Sequence, residues 1–479
     1  MASQAVKIFY NTLAQSLGKI FAAGVGLVTI ALLSRYLAEK GFGEYSTVVA
    51  FLGFCVTIAD LGLYLYVARE VSKPDTDHPK IIGNALGLRM TASVAVLFGG
   101  ALIALLLPYD PTVKQTLFLG IAAFVFVSLN QVLIGIFQKH LVQYLVVISE
   151  TVGRAVNLIL IYLLVWKGMP MPYFVGALIL ANGINLLLTV KFAKRYENFG
   201  IAFDFVVWKD ILRTSWPLVF SVVLNLLYFK TDTVILSLFH SEEAVGVYSL
   251  PYKLLEGLLA FPAMFAGLVM PLLSQYAVNN WEQFRQILQR SFDALILMAF
   301  LVLGVFEFFA GPIIDLLKGD RAYADSPQLL QILTLAAVTI FLGTLFGYAV
   351  FAVNAQKTMI KGYLLGAITG LALYLLLIPV FGYWGAAWGT VITEIIVASY
   401  AYRLVKKTSG QNISLNIFLR ALPAALGMAL FFYLFDFAWI AEIICGSLIY
   451  IILLLLFKAV PLDFVKQILL VRQAASDKP

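Results

Sequence analysis

Apolar runs long enough to cross a lipid bilayer recur along the whole chain, and about fourteen can be counted. A spanning helix needs roughly 20 mostly apolar residues at about 1.5 Å rise each. In hydrocarbon every backbone N–H and C=O must find a protein partner, and a run of this length meets that demand as an α-helix. Composition agrees, with 62% hydrophobic and 12% charged residues. The chain is therefore expected to be an all-α polytopic membrane protein. Its runs lie near 11–38, 43–71, 82–107, 115–138, 141–166, 171–192, 214–239, 244–273, 290–316, 327–353, 357–381, 383–402, 419–436 and 439–457. No connection between them is long enough for a soluble domain.

Charge orients these spans. With the N-terminus inside, the inner connections and tails hold 22 Lys and Arg and the outer loops six. This bias predicts both termini in the cytoplasm. The net charge of +7 is thus mostly topology, and nucleic acid drops out as a partner. Only Lys7 precedes the first run, and no small-residue cleavage site follows it, so the first helix is expected to be its own insertion signal. Cys55 and Cys445 sit inside apolar runs and read as small hydrophobes, with neither disulfide nor metal spacing. The three histidines, His78, His140 and His240, all lie near loops. No phosphate loop, H-E-x-x-H or nucleophile elbow occurs. The expected class is a transporter that does not hydrolyse ATP itself, with no catalytic residues, no metal site and no cofactor.

The chain echoes itself. The second run opens on Gly43-Glu44-Tyr45-Ser46 and the eighth on Gly246-Val247-Tyr248-Ser249, 203 residues and six spans apart. An even number of spans restores orientation, so the halves are expected to be parallel repeats. This predicts a six-helix bundle over 1–192, a cytoplasmic interfacial linker over 193–213, and a second bundle over 214–405. Two accessory helices and a tail follow over 406–479. Glycines four apart (Gly83 and Gly87; Gly362, Gly366 and Gly370; Gly385 and Gly389) predict close helix approach. Pro251, Pro262 and Pro271 predict kinks in the eighth span.

Chemistry must be sought among the charges inside the spans, each costing about 2.5–3.5 kcal/mol near the bilayer centre. Arg154 stands near the middle of span 5, with Glu150 at i−4 and Asn157 extending the same face. They form either a self-satisfied pair or an anion contact in a hydrated cavity. Lys230 is too deep in span 7 to snorkel comfortably, and Asp232 lies round the helix from it, in a stripe with Asn225 and Tyr228. Lys253 and Glu256 are i,i+3 neighbours in span 8. This cluster is either an interhelical ion network or part of a binding site. Lys19 follows Asn11 and Gln15 along span 1, and Arg89 lies two turns into span 3. Each either snorkels to the inner interface or faces a cavity. Asp60 in span 2 and Glu394 in span 12 have no local partner. They either exchange a proton or pair with a cation from another helix.

The candidate substrate-binding set is then Arg154, Lys230, Lys253, Lys19, Arg89, Asn157 and Asn225. The candidate ion-coupling set, for H⁺ or Na⁺, is Asp60, Glu150, Asp232, Glu256 and Glu394. Arg154, Lys230 and Lys253 are expected to share one basic cavity suited to an anionic head group.

Three stretches carry a family likeness. The first runs from Ser215-Trp216-Pro217-Leu218 through Asp232 to Gly246-Val247-Tyr248-Ser249. The second is Ala59-Asp60-Leu61-Gly62-Leu63 with Ala68-Arg69-Glu70, and the third is Ser34-Arg35-Tyr36-Leu37 with Phe42-Gly43-Glu44-Tyr45. The chain resembles, over essentially its full length, the polysaccharide-exporter branch of the MOP superfamily, the Wzx-type flippases. The resemblance implies two bundles in a V, alternating access, and cation-coupled outward flipping of an undecaprenyl-diphosphate-linked oligosaccharide across the inner membrane. It also implies membrane lipid, a polysaccharide polymerase and glycosyltransferases as partners. A multidrug exporter of the related MATE branch, or an exporter of another lipid-linked precursor, is the alternative. MATE proteins often use a carboxylate in the first helix, where residues 12–38 hold Lys19 and no acid. A membrane enzyme would want a sizeable outer loop, and the longest here spans only about 317–327. A scaffold would have little reason to carry the deep charges.

Overall fold

The computed structural model describes residues 2–60, 62–71, 76–410 and 412–460, without the side chains of residues 2–17, 20, 65 and 214–230. The side chains of Lys230 and Asn225 therefore lie outside the described residues. Among the described residues the chain forms fifteen α-helices and no strand. They are α1 (Ala2–Ile58), α2 (Leu63–Val71), α3 (His78–Ala104), α4 (Pro111–Lys139), α5 (Tyr144–Trp166), α6 (Met171–Ala193), α7 (Phe205–Phe239) and α8 (Glu242–Leu258). There follow α9 (Ala260–Asn279), α10 (Trp281–Lys318), α11 (Ser326–Ala352), α12 (Gln356–Phe381), α13 (Tyr383–Ser409), α14 (Asn416–Leu434) and α15 (Trp439–Leu456). Among the described residues eleven spans are long and apolar enough to cross a membrane, with α8 and α9 counting as one.

Helix breaks differ from the expected run boundaries, and each has a local cause. The first two runs join into α1, which turns at Ala38, where φ is 56° and ψ −171°. The last turn of α10 and the segment after it pin this turn. Ser34 Oγ donates to the Leu317 carbonyl at 2.9 Å, Arg321 Nε donates to the Arg35 carbonyl at 2.8 Å, and Tyr323 N donates to Glu39 Oε1 at 2.9 Å. The second run then breaks before α2, where Gly62 takes φ 59°, a conformation glycine adopts without a Cβ clash. The eighth run parts between Leu258 and Ala260. Pro262 supplies no N–H and its ring crowds the carbonyl four residues back, that of Leu258. Pro251 and Pro271 remain inside α8 and α9. The stretch expected as a linker is helical from Phe205 onward, because Asp204 Oδ1 caps the N–H groups of Val206 and Val207 at 3.0 and 3.3 Å. From there α7 continues unbroken to Phe239.

The chain divides into two compact units. One comprises Met1–Leu254, Leu316–Ser326 and Tyr363–Gly389; its core runs from Val48 and Leu52 in α1 through Leu97 in α3 to Leu133 and Phe137 in α4. The other comprises Leu255–Asp315, Pro327–Gly362 and Thr390–Pro479. There Ala421, Ala424, Met428 and Phe432 of α14 pack with Tyr450 and Leu454 of α15 and with Phe309 of α10.

Two sets of glycines do specific work in the first unit. Gly83 and Gly87 admit not another helix but the extended segment before α7: a Cβ at either would strike the carbonyl of Gly200 or Ala202. Ala202 N accordingly donates to the Gly83 carbonyl at 3.0 Å, and Asp204 N donates to Asn84 Oδ1 at 2.8 Å. The second set is the echoed motif itself. A Cβ on Gly43 would overlap the Glu242 carbonyl, and a Cβ on Gly246 would overlap the Glu39 carbonyl. These contacts are reciprocal, since Glu39 and Glu242 are also 203 residues apart. Such exchange is the signature of a local two-fold axis. Ser46 and Ser249, one more pair at this offset, both bury hydroxyls that have no partner among the described residues.

Candidate functional site

Four sets of described charges bear on the expected sites. In the first, Arg89 of α3 is fully buried. Its Nη1 donates to the Ala59 carbonyl at 2.6 Å and to Asp60 Oδ1 at 2.9 Å. Its Nη2 donates to Gln131 Oε1 at 2.7 Å, and its Nε to the Ser128 carbonyl at 3.4 Å. The guanidinium thus ties the α1–α2 break to α3 and α4. Arg89 departs from the expectation, since it neither snorkels nor faces a cavity, while Asp60 takes one of its two expected readings, pairing with a cation from another helix.

The second group is a cavity of about 230 Å³ between α5 and α6, lined by Glu150, Gly153, Arg154 and Asn157 with Leu178, Ala181, Asn182 and Asn185. Gly153 makes it possible, since its missing side chain lets Asn185 and the Ala181 carbonyl come close. Arg154 is exposed and donates from Nη1 to the Ala22 carbonyl of α1 at 3.0 Å. No Glu150–Arg154 ion pair forms among the described residues. Glu150 instead stands in the combined field of Arg154 and Lys19, the latter exposed on α1. Asn157 Oδ1 is buried without a hydrogen-bond partner. The result is a polar recess with one exposed cation, one carboxylate and three amides. Asn182 and Asn185 escaped the sequence reading, which followed charges. Their signal was two amides three residues apart in an apolar span, on one helical face.

The third group joins the family-like stretches to one another. Asp232 of α7 is buried, and its Oδ2 accepts from the Tyr248 hydroxyl of α8 at 2.7 Å. Its Oδ1 accepts from Thr233 N at 2.6 Å. Lys253 and Glu256 are half-buried on α8, and Glu394 is buried on α13 in the second unit. Neither Lys253 nor Lys19 lines the recess that holds Arg154.

The fourth group lies beyond the helix ends. Glu197, just after α6, accepts from Lys139 Nζ at 2.7 Å and from His140 Nε2 at 3.0 Å, while its other oxygen meets His78 Nδ1 at 3.0 Å. Burial pushes its carboxyl up, but these three hydrogen bonds outweigh that and hold it at about 2. Proximity of two of the three histidines to one glutamate was invisible in the sequence, because the partners come from three elements.

The family described as Polysaccharide biosynthesis protein matches residues 8–277, and the MatE family matches residues 217–376. A putative O-antigen transporter of Shigella flexneri is 21% identical over 419 residues, which is 83% of this chain and 98% of that protein. One from Shigella dysenteriae is 22% identical over 269 residues, covering 54% of this chain and 65% of its own length. Among solved structures, the lipid II flippase MurJ in an inward closed conformation superposes with a TM-score of 0.80 at 16% identity, covering 93% of this chain and 99% of MurJ. An inward-facing multidrug resistance MATE transporter gives 0.64 at 13% identity, covering 83% and 98%.

Proposed function

The chain belongs to the Polysaccharide biosynthesis protein family, in the polysaccharide-exporter branch of the MOP superfamily, and from that premise we propose that it flips a lipid-linked oligosaccharide by alternating access. The cargo is an undecaprenyl-diphosphate-linked repeat unit, moved outward across the inner membrane by fourteen spans, twelve of them in two six-helix bundles, with both termini cytoplasmic. Polymerase and glycosyltransferases act after and before it.

The observation that carries this reading is Arg154 at the mouth of its amide-lined recess. A guanidinium held by one backbone carbonyl keeps donors free for a phosphate oxygen, and its planar fork suits that partner. The amides of Asn157, Asn182 and Asn185 supply further donors without adding charge. Glu150 sits within the field of the same arginine, so an arriving diphosphate competes with it and favours its uptake of a proton. That exchange is the proposed link between cargo and a H⁺ or Na⁺ gradient, since coupling requires the two ligands to favour different states. Asp60, which is committed to Arg89, is set aside from the coupling set. The MATE-like alternative is disfavoured by Lys19 and the absence of acid in residues 12–38.

The test is export of surface glycan in cells that depend on this chain. Arg154→Ala is expected to cut export about tenfold or more, the weight of a charge-assisted hydrogen bond, with normal amounts of protein in the membrane. Full export by Arg154→Ala at equal protein level overturns the assignment.

A further inference from the structure

Residues 421–457 contain no Lys or Arg, and their only charges are Asp436 and Glu442, at the tip where α14 turns into α15. The cations of this pair sit at the opposite end, where Arg420 Nη1 donates to the Lys458 carbonyl at 3.3 Å. The third helix at the tip, α10, likewise carries no Lys or Arg from Ser291 to Leu317.

At the tip lies a cavity of about 380 Å³ in the second unit, walled by Phe308 and Pro312 of α10, Phe432 of α14 and Trp439 of α15, with both carboxylates in its lining. Pro312 shapes it: the helix bends at Phe309, where φ is −112° and ψ 17°, within the turn the proline disrupts. Glu442 is only 5% exposed, yet its carboxylate has no hydrogen-bond or ion-pair partner among the described residues. The first turn of a helix tolerates a carboxylate because its free N–H groups carry positive charge. Tolerance there does not account for a buried carboxylate aimed into an aromatic cavity. A carboxylate in the wall of a cavity, with no protein partner among the described residues, is available to a ligand of opposite sign. Aromatic faces attract the same kind of ligand, a cation.

The rim indicates where the ligand comes from. Tyr433 is 80% exposed, and Phe435 and Phe437 are exposed beside it. Exposed aromatic rings at the end of a spanning pair mark the membrane–water interface. Such a setting suits a lipid presenting a positive group at head-group depth.

We propose that this cavity binds the ammonium of an ethanolamine-type phospholipid head group, with Glu442 and Asp436 as its anionic partners and the ring of Trp439 against it. With both termini cytoplasmic, as proposed above, this end lies in the outer leaflet. The site is separate from the Arg154 recess and needs an opposite charge in its ligand, so its occupancy stands or falls independently of the transport assignment.

Native mass spectrometry of the full-length protein in detergent, titrated with phosphatidylethanolamine and phosphatidylglycerol of equal acyl chains, tests this. Wild type is expected to bind the ethanolamine lipid preferentially. Glu442→Gln should reduce that preference about tenfold, the worth of one charge-assisted hydrogen bond, and Glu442→Asp should retain most of it. A second measurement needs no variant: an N-acetylated phosphatidylethanolamine, similar in shape but without the positive charge, should lose the preference on wild-type protein. Equal binding of the acetylated and free-amine lipids, or the same lipid ratio in wild type and Glu442→Gln, overturns the proposal. Displacement by free glucosamine at the same concentration overturns the lipid as the source of the ammonium.

Discussion

Replacing Arg89 with Met separates a structural clamp from a binding residue. Methionine fills much of the same volume without donors. It strands the Asp60 carboxylate, the Ala59 carbonyl and the Gln131 amide, all now served by one guanidinium. Removing one partner of a buried ion pair costs about 3–5 kcal/mol. The Asp60 side chain is 21% exposed, so water recovers part of that loss, and about 3 kcal/mol is expected. At roughly 1.4 kcal/mol per power of ten, this lowers the folding equilibrium constant about a hundredfold. The assay is unfolding of the full-length protein from mild detergent into sodium dodecyl sulfate, followed by ellipticity. Arg89→Lys should recover less than half of the loss, because one ammonium cannot span four acceptors in this fork. The double variant Asp60→Asn/Arg89→Met should be more stable than additivity predicts, by about 1 kcal/mol, because the stranded charge is gone. An Arg89→Met curve superimposable on wild type, with wild-type protein levels, refutes the clamp.

Three further outcomes are expected. Because the folded state holds the Glu197 carboxyl at about 2, below the unfolded value of about 4.3, its contribution is complete above that unfolded value. It is lost as pH falls through the window down to about 2, so wild type should lose melting temperature there more steeply than Glu197→Gln does. Gly43→Val and Gly246→Val should each deplete folded protein in the membrane, measured by quantitative blotting. Either side chain meets a backbone carbonyl, which cannot rotate aside. In liposomes with an imposed pH or Na⁺ gradient, Glu150→Gln should alter the gradient dependence of flipping more than cargo binding. A wild-type rate and extent of flipping unchanged by removing the gradient would rule out coupling.

Much of this molecule is legible from local pattern. A run of about 20 apolar residues has one outcome in lipid, so the spanning helices follow from hydropathy alone. The break ahead of Pro262 follows from a missing N–H, and the family follows from short stretches such as Gly246-Val247-Tyr248-Ser249. The echo of that stretch at Gly43 was visible too, but only the fold shows the two glycines trading contacts with Glu242 and Glu39. Pairings were not legible. Glu150 and Arg154 have ideal i,i+4 spacing, yet the arginine reaches across to Ala22 of another helix. Asp60 reads as unpartnered along its own segment, and its cation arrives 29 residues later on α3. Asn182 and Asn185 become site residues only because Gly153 lets α6 approach α5. Hydrophobic length acts along one segment and is written in order along the chain. Partner choice depends on which faces neighbouring helices turn to each other, and in hydrocarbon no polar-against-apolar stripe records that rotation.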